Sequence, residues 1–230
     1  MEKAIVLLSG GMNSAVAAAS MAETHILHLL FANLHHRPLA RESEAFDRLC
    51  RHFKVQHHWR VELSHFKQVG GNAFVDPKRD IEDALTLEDD VAGTFVAGLM
   101  PTLLDVAASF AFRIGARHIV TGLSEALNEP GPGVGVMYPD NRREFILNYQ
   151  YMIESAMPER TQIKIETPLM DFSRTEIVKL GQRLKVPFES TWSCYEGGEA
   201  PCGKCFGCAS RASGFLHAAV PDPLVLPTPA

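Results

Sequence analysis

Four of the five cysteines, Cys194, Cys202, Cys205 and Cys208, fall in one short stretch with the spacing Cys-x7-Cys-x2-Cys-x2-Cys. A CxxCxxC run curls its thiolates around one centre, and a fourth sulfur from a neighbouring loop completes a tetrahedron. That donor set suits a closed, structural zinc (Zn2+) site, with an iron–sulfur cluster as the competing chemistry. Gly203 and Gly207 suit the sharp turns such a knuckle needs. In a reducing compartment this clustering favours metal over disulfides. Cys50 stands apart on the apolar face of a helical stretch and reads as a core residue. A second constellation lies near the N-terminus: Ser9-Gly10-Gly11-Met12-Asn13-Ser14 follows a short apolar run. Two glycines let backbone amides approach an anion closely, the next helix directs its positive end there, and Ser9 and Ser14 add hydroxyl donors. This is chemistry for phosphate or pyrophosphate. The Gly-Lys-Ser/Thr ending of a Walker loop is absent. The plain alternative is a tight turn with a Ser or Asn helix cap.

Positioning such groups requires a scaffold, and the apolar pattern supplies one. Strands are expected at 3–8, 25–32, 55–63, 117–122 and 163–166, and helices at 14–22, 41–53, from Pro101 to Gly115, 142–157 and 173–184. Ser173-x-x-Glu176 has the form of a capping box. Residues 64–90 form a polar excursion, and 124–141, rich in glycine and proline, a second loop. Alternating strands and helices predict an α/β fold, a parallel sheet with helices on both faces. Ligands on such sheets bind beyond the carboxyl ends of the strands, which here means the loops 9–14, 31–37 and 121–141. The expected organisation is an α/β domain over 1–185, a zinc-binding segment over 186–220 and a flexible tail over 221–230.

The chain has 230 residues, 46% hydrophobic and 21% charged, with a formal net charge of -5. This composition excludes a disordered or low-complexity protein. An acidic excess argues against nucleic-acid binding, including a tRNA-modifying role. No apolar run is long enough to span a membrane, and the N-terminal run lacks the form of a signal peptide. A cytoplasmic protein is the expectation. His35-His36 and His57-His58 are poor chelating pairs, because neighbours on a strand point to opposite faces; each is expected to be exposed or in the core, while His35 and His36, which follow the second strand, stand where they could reach a substrate.

Both motifs, with what lies between them, resemble the 7-cyano-7-deazaguanine synthase family, QueC. The resemblance runs from Lys3 to about His217. It is carried by Ser9–Ser14, Thr94-Phe-Val-Ala-Gly98, Val120-Thr-Gly122, Tyr138-Pro-Asp-Asn-Arg142 with Glu144-Phe145, Glu166-Thr-Pro-Leu169, Trp192-Ser-Cys-Tyr195, Pro201-Cys-Gly-Lys-Cys-Phe-Gly-Cys208 and Arg211. It implies an adenine nucleotide alpha-hydrolase-like (Rossmann-like) fold and an ATP-dependent ligase. Such an enzyme adenylates the carboxylate of 7-carboxy-7-deazaguanine, forms an amide with ammonia, and uses a second ATP to make the nitrile. The implied cofactors are ATP, magnesium (Mg2+) and zinc. By resemblance Ser9, Gly10, Gly11, Ser14, Thr121 and Gly122 meet ATP. Phe95, Tyr138 and Asp140 meet the deazapurine, and Arg174 neutralises phosphate. A homodimer is compatible with this picture.

Three departures stand out. Asn13 occupies the position of the family's aspartate, keeping its shape but losing its charge. The chain is therefore weak or inactive, or carries a substitution that traps a bound state; the otherwise intact loop favours the latter. The family's Tyr-Gly-Gln segment is here Asn33-Leu34-His35-His36-Arg37. Its Phe-Val-Pro-Gly-Arg-Asn is Phe95-Val-Ala-Gly-Leu99-Met100. These changes suggest a divergent branch, of the kind implied in antiviral defence, in which an amine of a partner protein replaces ammonia. A catalytically inactive nucleotide-binding module that holds a partner is the alternative.

Overall fold

The computed structural model describes residues 1–84, 91–125, 138–158 and 160–224. Five strands form one sheet: β1 (Glu2–Leu7), β2 (His25–Asn33), β3 (His58–Glu62), β4 (His118–Val120) and β5 (Lys164–Glu166), in the order β3-β2-β1-β4-β5. Every neighbouring pair is parallel. The helices are α1 (Met12–Met21), α2 (Leu39–His52), α3 (His65–Val69), α4 (Leu99–Ile114), α5 (Arg143–Ala156), α6 (Arg174–Arg183) and α7 (Phe206–Ala218).

Strand alternation divides the core in two. Ala4, Val6, Leu27, Leu29, Phe31 and Val120 face α1, α2, α6 and α7. Ile5, Leu7, Leu30, Ile119 and Ile165 face α4 and α5. This is the expected parallel sheet with helices on both faces. β3 is weak in sequence because it is an edge strand, alternating exposed and half-buried.

Several boundaries differ from expectation. α4 opens at Leu99 instead of Pro101, behind Gly98 in the left-handed region (φ 78°). Pro101 then sits in the first turn, where a missing N–H breaks no helical bond. α1 opens at Met12 because Gly11 takes the N-cap place. The polar excursion holds a short helix, α3, around buried Phe66. Its residues 85–90, including the acidic Glu88, Asp89 and Asp90, and the Gly/Pro run Pro130–Gly133 with Gly135, lie outside the described residues. No helix among the described residues is long and apolar enough to cross a membrane.

The C-terminal segment is tied to the sheet domain by Arg211. It is 1% exposed, donates to both Asp222 carboxylate oxygens (2.7–3.0 Å), to Thr191 Oγ1 and to the Phe188 carbonyl, and lies over the Phe215 ring. Asp222 belongs to the segment expected to be a flexible tail, and this bidentate pair holds it.

The capping box of α6 is present. Glu176 N–H donates to Ser173 Oγ (3.3 Å), and Ser173 N–H donates to the Glu176 carboxylate (2.8 Å). Ser173→Ala should lower stability by about 1 kcal/mol, read as a shift in urea midpoint with unchanged slope.

Candidate functional site

The loop after β1 turns at Gly10, whose φ is +86°. A Cβ there would lie 2.6 Å from the Glu42 carbonyl oxygen of α2, so both the backbone angle and the packing require glycine. Gly11 caps α1 with no side-chain cap bond, leaving the amides of its first turn directed outward. Ser9 Oγ accepts from Gly11 N–H (3.2 Å) and stands 3.2 Å from Ser14 Oγ. Ser14 Oγ donates to the Gly11 carbonyl (3.0 Å). Amides and hydroxyls thus converge at a helix N-terminus, the arrangement that binds phosphate groups.

Thr121 and Gly122 follow β4 on the adjoining strand end. A Cβ on Gly122 would stand 2.7 Å from Ser14 N, so the loop after β4 packs directly on the first turn of α1. These two loops open onto a cavity of about 300 Å³, lined also by Leu30, Leu34, His36, Glu42, Phe74, Leu99, Met100 and Leu103. A second cavity, of about 180 Å³, shares Ser9, Asn13, Ser14 and Glu42 with the first and reaches Trp192, Tyr195, Phe206 and Arg211. A third, of about 160 Å³, shares Phe74, Leu99 and Met100 with the first and holds Thr94, Phe95, Tyr138, Asp140 and Tyr195. The expected nucleotide and deazapurine residues therefore occupy adjoining hollows, Asn13 faces two of them, and Phe74, Leu99 and Met100 form the common wall.

Within the third cavity Tyr138 Oη bonds Thr94 Oγ1 (2.8 Å), and its ring meets Phe95 edge-on. Burial holds the Tyr138 and Tyr195 phenols above their ordinary range, so both stay neutral. Burial also pushes the Asp140 carboxyl up, against backbone hydrogen bonds that favour its charged form, including one from Met100 N–H in the first turn of α4. Asp140 is thus a half-buried acceptor anchored at a helix N-terminus. Arg174 does not line these cavities. It opens α6 with its guanidinium 5.4 Å from the Phe206 ring.

His36 and Glu42 form a contact that sequence reasoning missed. His36 is buried, lies parallel to Phe74, and its Nε2 is 2.8 Å from Glu42 Oε2. Its Nδ1 is buried and has no hydrogen-bond partner among the described residues. Both residues line the first cavity. The only signal in the sequence was their position after β2, at a strand's carboxyl end. His35 instead pairs with exposed Glu62 (3.1 Å).

The cysteine sulfurs of 194, 202, 205 and 208 lie within 4.8 Å of one another. Backbone N–H groups donate to three of them: Cys202 to Cys194, Cys205 to Cys202 and Tyr195 to Cys205 (3.3–3.4 Å). The Cys205 thiol holds Cys194 well below the usual range, and Cys194 in turn pushes Cys205 and Cys208 up. A lone thiolate is sheltered here, whereas four need a cation among them. The donor set fits a closed tetrahedral metal. Trp192 N–H bonds the Gly10 carbonyl (2.9 Å), so the cysteine segment also braces the phosphate loop. Magnesium binds through one or two carboxylates plus phosphates. The loop Ser9–Ser14 offers only neutral oxygens, with Glu42 the carboxylate facing the two cavities that share it.

A family model described as "Queuosine biosynthesis protein QueC" matches residues 3–219. A 7-cyano-7-deazaguanine synthase from Chloroherpeton thalassium is 34% identical over 223 residues, 96% of each chain. One from Oceanobacillus iheyensis is 35% identical over 227 residues, 97% of each. Among solved structures, NMN synthetase from Francisella tularensis aligns at 15% identity with a TM-score of 0.48, covering 90% of this chain and 67% of that one. With its glycine loop and cysteine block both inside the matched span, the chain belongs to the QueC family.

Proposed function

We propose that this chain is an ATP-dependent carbon–nitrogen ligase that adenylates the carboxylate of 7-carboxy-7-deazaguanine and passes the acyl group to an amine. The supporting observation is the shared wall of Phe74, Leu99 and Met100. A heterocycle beside Tyr138 and Asp140 would present its carboxylate toward a nucleotide held by the phosphate loop. The α1 amides with Ser9 and Ser14 bind the phosphates, and Thr121 and Gly122 border the nucleotide. Asp140, ionised, accepts from the paired N–H groups of the guanine-type edge. Carboxylate oxygen attacks the α-phosphorus and pyrophosphate departs; amine attack on the mixed anhydride then expels AMP. His36, its ring held by Glu42, lines the same cavity, so this pair borders the space in which the amine would react. Mg2+ carried with the nucleotide would neutralise charge gathering on pyrophosphate, with Asn13 and Glu42 lining its cavity. Zn2+ in the four-cysteine site would be structural.

The acceptor is ammonia in the simplest case. The apolar Leu99–Met100 pair favours a second form of the same reaction, with an amine of a partner protein as acceptor. Asn13 favours a different reading, a nucleotide-binding module without turnover.

The test supplies the chain with ATP, Mg2+, 7-carboxy-7-deazaguanine and ammonium, following AMP release and product mass. AMP that depends on the acid supports the ligase. A deazaguanine-sized adduct on a co-expressed protein identifies the second acceptor, and nucleotide binding without AMP identifies the module. No binding of either substrate removes the proposal. Binding of the acid should also weaken on acidification, because Asp140 accepts only when ionised. Since burial raises its pKa, the loss begins above the ordinary aspartate value of 3.8. In Asp140→Asn that part of the pH dependence disappears and affinity falls about tenfold or more.

A further inference from the structure

At the end of the sheet opposite the cavities, three strands begin with residues of another chemistry. Glu2 opens β1 and pairs in register with His25, which opens β2. His118 opens β4 opposite Ala4, two residues beyond Glu2 and therefore on the same face. One donor atom from each of Glu2, His25 and His118 lies within 4.8 Å of the others. Glu2 Oε2 stands 2.9 Å from His118 Nε2, and the two imidazole rings meet edge-on at 4.6 Å.

We propose that Glu2, His25 and His118 form a second metal site, for a divalent ion of the zinc class, separate from the cysteine cluster. The distal ring nitrogens support this. Thr24 Oγ1 donates to the Met21 carbonyl (3.3 Å), so it accepts from His25 Nδ1 (2.8 Å) and leaves the Nε2 lone pair of His25 open. His118 Nδ1 is 3.0 Å from Glu166 Oε1, and Lys164 holds that carboxylate at 3.0 Å. Histidine ligands are characteristically oriented in this way, the far N–H donated to a carboxylate or another oxygen. The bond count points in the same direction. A neutral His118 has one N–H for two carboxylates, so with Nδ1–H on Glu166 its Nε2 lone pair faces Glu2, and a cation between them resolves the conflict.

Two imidazoles and one carboxylate suit zinc, cobalt or nickel better than magnesium or calcium. Tetrahedral bonds of about 2.0–2.1 Å place ligand atoms roughly 3.3 Å apart; Glu2 and His118 stand at 2.9 Å and all three donors lie within 4.8 Å, so side-chain rotation is what would close them on an ion. Three protein ligands at a partly exposed end of the sheet leave a position for water, unlike the closed four-sulfur site. Arg117, 3.9 Å from Glu2, is the neighbouring charge that opposes the ion. Without a metal, the same residues form only a surface ion-pair network.

Metal analysis and cobalt titration of the full chain, free of any oligohistidine tag, decide between these. After saturation with zinc and desalting, wild type should retain two ions per chain, and His25→Gln and Glu2→Gln one. Both variants sit at exposed or half-exposed strand ends, and circular dichroism checks their fold. Cobalt should give intense sulfur charge-transfer bands for the first ion and only weak visible bands for the second. Glu166→Gln should weaken the second ion tenfold to a hundredfold and leave the first unchanged. One ion per wild-type chain, or a second that survives both His25→Gln and Glu2→Gln, overturns the site.

Discussion

Cys208→Ser should abolish metal binding at the four-cysteine site and loosen the glycine loop after β1 together with the C-terminal segment. Cys208 is fully buried in the first turn of α7, and its sulfur lies 3.9 Å from Cys202 Sγ. A serine hydroxyl is a poor fourth ligand and would be left buried in a cluster built from sulfur. Binding free energies for structural zinc are of order 10 kcal/mol in small domains, and that energy is folding energy. In this larger chain the loss should be local. Trp192, Cys194, Cys205 and Cys208 form a small core with Ala45, Ala73 and Ile81, and Trp192 N–H bonds Gly10. Metal analysis should find the site empty, and thermal unfolding should become biphasic as the cysteine segment melts before the sheet. ATP affinity should fall by about tenfold or more, roughly 1.4 kcal/mol, because Gly10 loses its brace. Full metal content with a single unchanged transition would show that three sulfurs suffice.

The coupling behind that result could not be read from the sequence, whereas its two ends could. The glycine loop and the CxxCxxC block are local patterns whose spacing carries their chemistry. Thr121, Gly122, Phe95, Tyr138 and Asp140 came through family resemblance, and the structure gathers them around adjoining cavities. Strand alternation exposed the two-faced sheet, since β1 and β2 are buried on both sides. What was hidden depends on pairings between distant elements. Trp192 reaches Gly10, Arg211 seizes Asp222, and Glu42 turns from α2 to His36 while its carbonyl packs on Gly10. Neither the burial of Arg211 nor the inward turn of His36, beside outward His35, shows in a one-dimensional pattern. Helix starts shifted for a related reason: Gly98 turns through the left-handed region and Gly11 caps α1 with no side-chain bond, so neither leaves a side-chain signature.

Asn13→Asp should raise AMP formation by about two orders of magnitude in the presence of Mg2+ and weaken ATP binding in its absence. The two effects have opposite signs because they share a cause. Asn13 is the second residue of α1 and faces both cavities that meet the phosphate loop. A carboxylate there gains about 0.3–1 kcal/mol from the helix N-terminus in the free protein. Against a bare triphosphate it is repelled. Two unit charges about 5 Å apart at an effective dielectric near 20 interact by roughly 3 kcal/mol, or about a hundredfold in affinity. A divalent cation carried by the nucleotide reverses that sign, since the same charge now attracts it. The neutral amide of Asn13 is largely indifferent to either state. Titrating ATP into both forms, with Mg2+ and with a chelator, should therefore give crossing affinities: wild type binds tighter under chelation, the Asn13→Asp variant tighter with metal. Activity should follow the metal-bound arm. If the substituted protein binds ATP equally well under both conditions and turnover does not rise, residue 13 does not face the phosphates, and the register of the nucleotide along the loop must be different from the one drawn from Ser9, Ser14 and Gly122.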